Sequence, residues 1–201
     1  MPKEQLIIFV KAPRAGHVKT RIAATAGPQR ACVIYRELVA MVLKNLKPIR
    51  DAELRFSPDD GADEIQGWRH DGWTIVPQGG SDLGSRLQRA FDSAFGRGAE
   101  RVVIVGSDCP EVKAADVRTA WRELKSHDLV VGPAADGGYW LIGLRAPQPE
   151  LFRGITWSSD QVLGETLQHA KSLGLRIQLL RILNDIDTEV DWNAYVRDRP
   201  S

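Results

Sequence analysis

The chain has 201 residues, 43% of them hydrophobic and 26% charged, and a formal net charge of +1, which is typical of one globular domain spanning residues 1–201. A net charge so close to zero argues against a broad basic surface for nucleic acid, and no apolar run approaches the ~18 residues of a transmembrane helix. Two cysteines, Cys32 and Cys109, are too few for a disulfide framework, and the first residues lack a signal-peptide pattern, so we expect a cytoplasmic protein.

Short apolar runs alternate with amphipathic stretches along the chain, which predicts strands alternating with helices. Strands are predicted at Leu6–Val10, Ala52–Phe56, Trp73–Val76, Arg101–Val105, Leu129–Val131, Tyr139–Leu144 and Leu175–Leu180. Helices are predicted from Pro28 to about Leu46, near Ile65, from Leu83 to Phe95, from Ala114 to about Ser126, at Ser159–Leu173 and at Val190–Val196. Repeated strand–helix–strand order implies an α/β fold with a mainly parallel sheet covered on both faces.

A basic loop directly follows the first predicted strand, at the edge of an open α/β sheet where ligands bind. No Asp or Glu occurs between Gln5 and Arg36, and Val18 before Lys19 excludes a Walker A loop. Fixed cations and a glycine suit the phosphates of a nucleotide, although such a loop can also be a solvated surface. The candidate phosphate-binding residues are Lys11, Arg14, Gly16, Lys19 and Arg21.

Asp108 follows the buried strand Val102–Val105 in the sequence Gly106-Ser107-Asp108-Cys109-Pro110. A carboxylate just past such a strand points into the ligand crevice, where it could hold Mg²⁺ or Mn²⁺ against a phosphate. The alternative is that Asp108 only caps the following turn.

A second acidic cluster occupies residues 185–191. In an extended segment Asp185 and Asp187 would lie on one side, which makes either of them a metal candidate. Thr188 is predicted to cap the last helix, with Asp191 as its capping-box partner. Helix-end electrostatics alone would also account for these acids.

A third segment, Gly132–Gly143, contains Asp136-Gly137-Gly138 between two strand-like runs. This is either a simple hairpin turn, or a turn that projects Asp136 into the cleft while the glycines let a substrate approach the backbone. Tyr139 or Trp140, and likewise Trp157 after them, could stack on a sugar or base, although most strand aromatics belong to the core.

Six motifs occur in a fixed order and cover essentially the whole chain. They are K-A-P-R-A-G-H-V-K-T-R at 11–21, D-L-G-S-R-L at 82–87, G-S-D-C-P at 106–110, G-P-A-A-D-G-G-Y-W-L-I-G at 132–143, T-W-S at 156–158 and D-I-D-T-x-x-D at 185–191. This order resembles the bacterial glycosyltransferases of the nucleotide-diphospho-sugar transferase superfamily, part of which is associated with radical-SAM, selenodomain or arsenosugar-biosynthesis proteins.

The resemblance implies a GT-A-like fold, which is a Rossmann-like three-layer α/β/α sandwich, with a nucleotide and a divalent metal. It places the metal on Asp108 and Asp187 and adds Arg86 to the phosphate-binding candidates. Two departures matter: the glycine-rich opening G-G-x-G-x-R of sugar nucleotidyltransferases is absent, and the D-x-D of many glycosyltransferases is reduced to Asp108. The S-D-C-P form is closer to the molybdopterin and 2-phospholactate nucleotidyltransferases.

Three functional readings follow for a protein that takes a nucleotide or nucleotide-sugar and a small-molecule acceptor. The main reading is glycosyl transfer from a nucleoside-diphosphate sugar, with Asp136 as general base, Lys19 and Arg21 on the phosphates, and Gly137, Gly138, Tyr139 and Trp157 toward the substrate. The alternative is a nucleotidyltransferase, in which a substrate phosphate attacks a nucleoside triphosphate and pyrophosphate leaves. The third is a nucleotide-binding module without catalysis. The base, the sugar, the acceptor and the oligomeric state stay open.

Overall fold

The computed structural model describes residues 3–198, in which seven strands form one sheet with the order β3-β2-β1-β4-β6-β5-β7. The strands are β1 Glu4–Lys11, β2 Glu53–Ser57, β3 Thr74–Pro77, β4 Arg101–Val105, β5 Leu129–Pro133, β6 Tyr139–Leu144 and β7 Ile177–Leu179. All neighbouring pairs are parallel except those of β6, which runs antiparallel to both β4 and β5. The prediction of a mainly parallel sheet is therefore confirmed.

Helices cover both faces of the sheet because successive strand residues point to opposite sides. On β1, Ile8 packs in a core with Leu46 of the long second helix, whereas its neighbour Ile7 packs in a separate core with Phe91 of the fourth. The helices are α1 Thr20–Ala26, α2 Pro28–Leu46, α3 Ala62–Ile65, α4 Leu83–Gly96, α5 Ala114–Glu123, α6 Val162–Ser172 and α7 Glu189–Asp198. With α2 and α5 on one face and α4 and α6 on the other, the three-layer α/β/α expectation is confirmed.

One helix differs from the expectation, and one predicted turn is confirmed. Helix α1 was not predicted; it begins after Lys19, whose backbone is left-handed at φ 46°, and no side chain caps its first turn. The tight turn predicted between β5 and β6 is confirmed as a hairpin, so β6 returns antiparallel to β5. Among the described residues, no helix combines the length and the apolar character needed to cross a membrane.

The parallel strands all end at one edge of the sheet, which we call the carboxyl edge; the opposite one is the amino edge. Strands β1, β4 and β5 lead there into the basic loop, the Asp108 loop and the hairpin that carries Asp136. A cleft of about 760 Å³ opens at this edge. The topology thus brings together three segments that are far apart in sequence, at the place where open α/β sheets bind ligands.

Candidate active site

The cleft at the carboxyl edge is lined by more carboxylates than cations. Its four cationic residues are Lys11, Lys19, Arg21 and Arg86. Its six carboxylates are Asp82, Asp108, Asp136, Asp160, Asp185 and Asp187. The side chains of the cleft therefore carry an excess of two negative charges, which favours added positive charge there.

Lys19 joins the two predicted metal positions. Its Nζ lies 2.5 Å from Asp108 Oδ1 and 2.9 Å from Asp187 Oδ1, and its side chain is only 5% exposed. Burial lowers the pKa of Lys19, but the two carboxylates outweigh it and hold the pKa above the ordinary value. The ammonium is therefore charged, and it bridges an acid from the middle of the chain to one near its carboxyl end.

The Asp108 loop and the 185–191 segment are also joined through the backbone. The Ile186 amide donates to the Asp108 carbonyl at 3.0 Å. The amide and hydroxyl of Thr188 donate to Asp191 Oδ2 at 2.8 and 2.7 Å, and the Asp191 amide donates to Thr188 Oγ1 at 3.2 Å. The predicted capping role of Thr188 and Asp191 is confirmed, which leaves Asp185 and Asp187 to face the cleft.

Asp136, Asp185 and Asp187 form a cluster in which one carboxylate oxygen of each lies within 4.8 Å of the others. Burial and the neighbouring charges of Asp136 and Asp187 raise the pKa of Asp185 to about 6. Burial also opposes ionisation of Asp187, but Lys19 and Arg21 outweigh it and lower its pKa below the ordinary value. Clustered carboxylate oxygens fit a hard divalent cation such as Mg²⁺ or Mn²⁺.

The basic loop is only partly turned toward the cleft. Lys11 lines it, whereas Arg14 points away and pairs with Asp60 at 3.1 Å and Glu64 at 2.7 Å. Gly16, with φ 83°, is exposed and is not among the residues that line the cleft. The predicted set of phosphate-binding residues is therefore split by the structure, with Arg14 and Gly16 outside.

Arg86 lies on the opposite wall, in the first turn of α4. Asp82 caps this helix by accepting from the Ser85 amide at 2.8 Å. Arg86 Nε donates to the Ser81 carbonyl at 2.9 Å, and its Nη1 lies 3.3 Å from Gln78 Oε1. Buried Gln78 in turn donates to the carbonyl of Val10 at 3.0 Å, which ties this wall to β1.

The predicted substrate-facing residues surround the hairpin between β5 and β6. Gly138, Tyr139 and Trp157 line the cleft, whereas Gly137 packs with φ 89° against the Asp160 backbone, too close for any larger residue. Trp157 covers the start of α4, where a Cβ at Gly84 would lie 2.7 Å from its indole.

Several cleft residues were not predicted from the sequence. Tyr35, Gln78, Asp82 and Asp160 all line it. The glycine-rich composition of the run Gln-Gly-Gly-Ser-Asp at 78–82 could have indicated a loop that lines a ligand site. No sequence feature indicated Tyr35, which lies in the middle of an ordinary amphipathic helix.

A family model described as "Uncharacterized protein conserved in bacteria (DUF2064)" matches residues 43–159, more than half of the chain. The chain belongs to this family. The matched segment includes β4, the Asp108 loop and the Asp136 hairpin.

Three relatives of this DUF2064 protein are informative. It is 29% identical over 203 residues to the phosphoenolpyruvate guanylyltransferase of Sphaerobacter thermophilus, covering 96% of this chain and 94% of the relative. It is 27% identical over 172 residues to the 2-phospho-L-lactate guanylyltransferase of Methanothermobacter thermautotrophicus, and the match covers 85% of this chain and 74% of the relative. The crystal structure of a "putative nucleotide-diphospho-sugar transferase" from Desulfovibrio desulfuricans G20 superposes with a TM-score of 0.92 at 34% sequence identity. The superposition covers 100% of this chain and 90% of that protein.

All three relatives are named as transferases, and the DUF2064 protein is accordingly an enzyme of that class. The resemblance to the nucleotide-diphospho-sugar transferases is supported at the level of the superfamily. Two guanylyltransferases favour the nucleotidyl alternative over glycosyl transfer. The association with radical-SAM, selenodomain and arsenosugar proteins stays a prediction.

Proposed function

We propose that the protein is a divalent-metal-dependent nucleotidyltransferase. The phosphate group of a small acceptor, such as one that also carries a carboxylate, would attack the α-phosphorus of a nucleoside triphosphate and form a new P–O bond. The bond from the α-phosphorus to the bridging oxygen would break, and pyrophosphate would leave. No net proton transfer to a side chain is needed, because the attacking oxygen is already anionic.

The observation that carries the proposal is the Lys19 bridge between Asp108 and Asp187 beside the carboxylate cluster. A triphosphate and a phosphate acceptor together bring several negative charges into a cleft whose side chains already carry an excess of two negative charges. Only added cations make that combination favourable, since like charges at short range oppose binding. The three clustered carboxylates are suited to hold them, and Asp108, joined to Asp187 through Lys19, lies beside the cluster.

The chain's own residues divide into two groups. Asp108, Asp136, Asp185 and Asp187 would hold the divalent ion, which when bound neutralises phosphate charge as the leaving group departs. Lys19 and Arg21 would hold the departing pyrophosphate, with Lys11 and Arg86 on the two flanking walls. In this reaction Asp136 needs no general-base role, because the acceptor phosphate carries no proton that must be removed.

Glycosyl transfer remains the second candidate, on one observation. The relative with 34% identity carries the name of a nucleotide-diphospho-sugar transferase. In that reaction the acceptor is a hydroxyl, which requires a base, and Asp136 would take that role.

The experiment is a pyrophosphate-release assay with GTP, ATP, CTP and UTP, each with Mg²⁺ or Mn²⁺. Phosphoenolpyruvate and 2-phospho-L-lactate serve as first acceptors, and a parallel panel of nucleoside-diphosphate sugars is scored for nucleoside-diphosphate release. We expect acceptor- and metal-dependent pyrophosphate release with one triphosphate. Release of a nucleoside diphosphate from a sugar donor instead would establish the second candidate and overturn the first.

A further inference from the structure

The long helix α2 holds the two loops whose side chains meet in the cleft. Cys32 Sγ donates to the Pro13 carbonyl of the basic loop at 2.7 Å, and Asn45 Nδ2 donates to the Pro110 carbonyl after Asp108 at 2.8 Å. Each of these bonds fixes one loop separately to the helix. Their common support is therefore α2, which packs against the sheet face formed by β1 and β4.

Tyr35 of α2 reaches both loops with one atom. The Lys11 amide donates to its hydroxyl oxygen at 2.6 Å, and the same oxygen lies 3.3 Å from Ser107 Oγ. Because that oxygen accepts from Lys11, its own proton is available to Ser107. Among the described side chains of α2, Tyr35 is the one that bonds to both the basic loop and the Asp108 loop.

The surroundings of Tyr35 suit a fixed link. The residue is only 2% exposed, and Ser107 beside it is also buried. Burial and the charge of Asp108 raise the pKa of Tyr35, so the hydroxyl keeps its proton. The bond between these two buried hydroxyls is costly to break, because each hydroxyl would lose its partner.

We propose that Tyr35 is a positioning residue whose hydroxyl sets the spacing between the basic loop and the Asp108 loop, and with it the contact of Lys19 with Asp108. Lys11 lies eight positions before Lys19, and Ser107 immediately precedes Asp108. Tyr35 thus acts on the site through Lys19 and Asp108. The functional part of this inference rests on the proposed nucleotidyl transfer; the structural part does not.

The test compares Tyr35→Phe with Ser107→Ala and with Tyr195→Phe. Tyr195 is a matched control, because its hydroxyl also reaches α2, at Met41 Sδ, and it packs in the core that contains Ile186, so Tyr195→Phe tests whether loss of any hydroxyl at that core changes the readout. The first readout is amide hydrogen exchange at Ile186, whose N–H donates to the Asp108 carbonyl and not to Tyr35. The second is the dissociation constant of Mn²⁺ with GTP bound, with kcat and KM measured where turnover exists.

We expect Tyr35→Phe to speed exchange at Ile186 and to weaken Mn²⁺ about tenfold, in the 10- to 100-fold range usual for groups that orient metal ligands. Ser107→Ala should do the same, the double variant should add little, and Tyr195→Phe should change neither. Unchanged exchange at Ile186 together with a raised KM would mean that Tyr35 only touches substrate, and would overturn the proposal. If the wild type lacks nucleotidyl transfer, the exchange result still decides the structural link, so the two failures are distinguishable.

Discussion

The two edges of the same sheet use charge in opposite ways. At the amino edge, residues at or just before the strand starts are paired: Arg101 with Glu4 at 3.1 Å and Arg176 with Asp128 at 3.0 Å. At the carboxyl edge, six carboxylates face four cations in one cleft. Strand β5 shows both patterns, since Asp128 precedes it and Asp136 follows it.

The pKa shifts express this difference. Hydrogen bonds from Arg176 lower the pKa of Asp128 to about 2, so its charge stabilises the fold at neutral pH. Burial and two neighbouring acids raise the pKa of Asp185 to about 6, so its charge destabilises the fold there. The amino edge is built for stability, whereas the carboxyl edge keeps unfavourable charge that a bound cation would relieve.

The largest expected effect comes from removing one charge of the cluster. Asp187→Asn should lower kcat/KM on the order of 10³-fold, because it removes a proposed metal ligand and half of the Lys19 bridge. Steady-state pyrophosphate release measures this. Asp128→Asn, at the other end of the sheet, should retain activity within about twofold; equal losses in both would erase the distinction between the edges.

Lys19→Met should lower kcat/KM on the order of 10²-fold, because a buried cation for the phosphates is lost. In the absence of nucleotide it should bind Mn²⁺ more tightly, since the ammonium no longer competes for Asp108 and Asp187. Steady-state pyrophosphate release measures the loss of activity, and calorimetry measures Mn²⁺ binding in the absence of nucleotide. Arg21→Gln is the control, with a loss below about tenfold because Arg21 is 67% exposed. Weaker metal binding by Lys19→Met without nucleotide would show that the ammonium does not compete with the metal for these carboxylates.

Asp185→Asn should raise the metal-free free energy of unfolding by about 1.5 kcal/mol at pH 7, a figure reduced for solvent screening of a half-buried group. The folded pKa is above the unfolded value, so the cost of ionisation is absent below about pH 4 and complete above about pH 6. Urea titrations from pH 4 to pH 8 should therefore show a gain that grows with pH. A lower free energy of unfolding for Asp185→Asn than for wild type at pH 7 would show that the Asp185 charge does not destabilise the fold.

Asp128→Asn should have the opposite sign and a smaller size, a loss of about 1 kcal/mol at pH 7 after discounting for the exposed Arg176. The folded pKa is depressed, so this stabilisation is present above the unfolded value near 3.8 and disappears as the pH falls through about 2. The difference between wild type and variant should shrink over that range in denaturant titrations. A difference that is as large at pH 2 as at pH 7 would point to packing instead of charge.

The sequence indicated the strands, the ligand-binding carboxyl edge of the sheet and the charged residues there. It did not indicate which charged residues pair with each other. Asp108 and Lys19 could be found because each follows a recognisable strand in a local pattern. The sequence could not show that Arg14 turns away, because its partners, Asp60 in a turn and Glu64 in α3, lie about 50 positions further along the chain. The role of Tyr35 depends on a hydroxyl that meets two loops in space, which helical periodicity cannot show.

The most direct test of the central claim is a thermal-shift measurement with nucleoside triphosphates, with and without Mg²⁺ or Mn²⁺, on wild type, Asp187→Asn and Asp128→Asn. A ligand at ~100 times its dissociation constant adds about 2.7 kcal/mol, or roughly 5–10 °C for a domain of this size. We expect such a shift for wild type and Asp128→Asn only when metal and triphosphate are present together, and we expect its loss in Asp187→Asn. A shift that needs no metal, or that survives in Asp187→Asn, would contradict a nucleotide site built on the acids of the carboxyl edge.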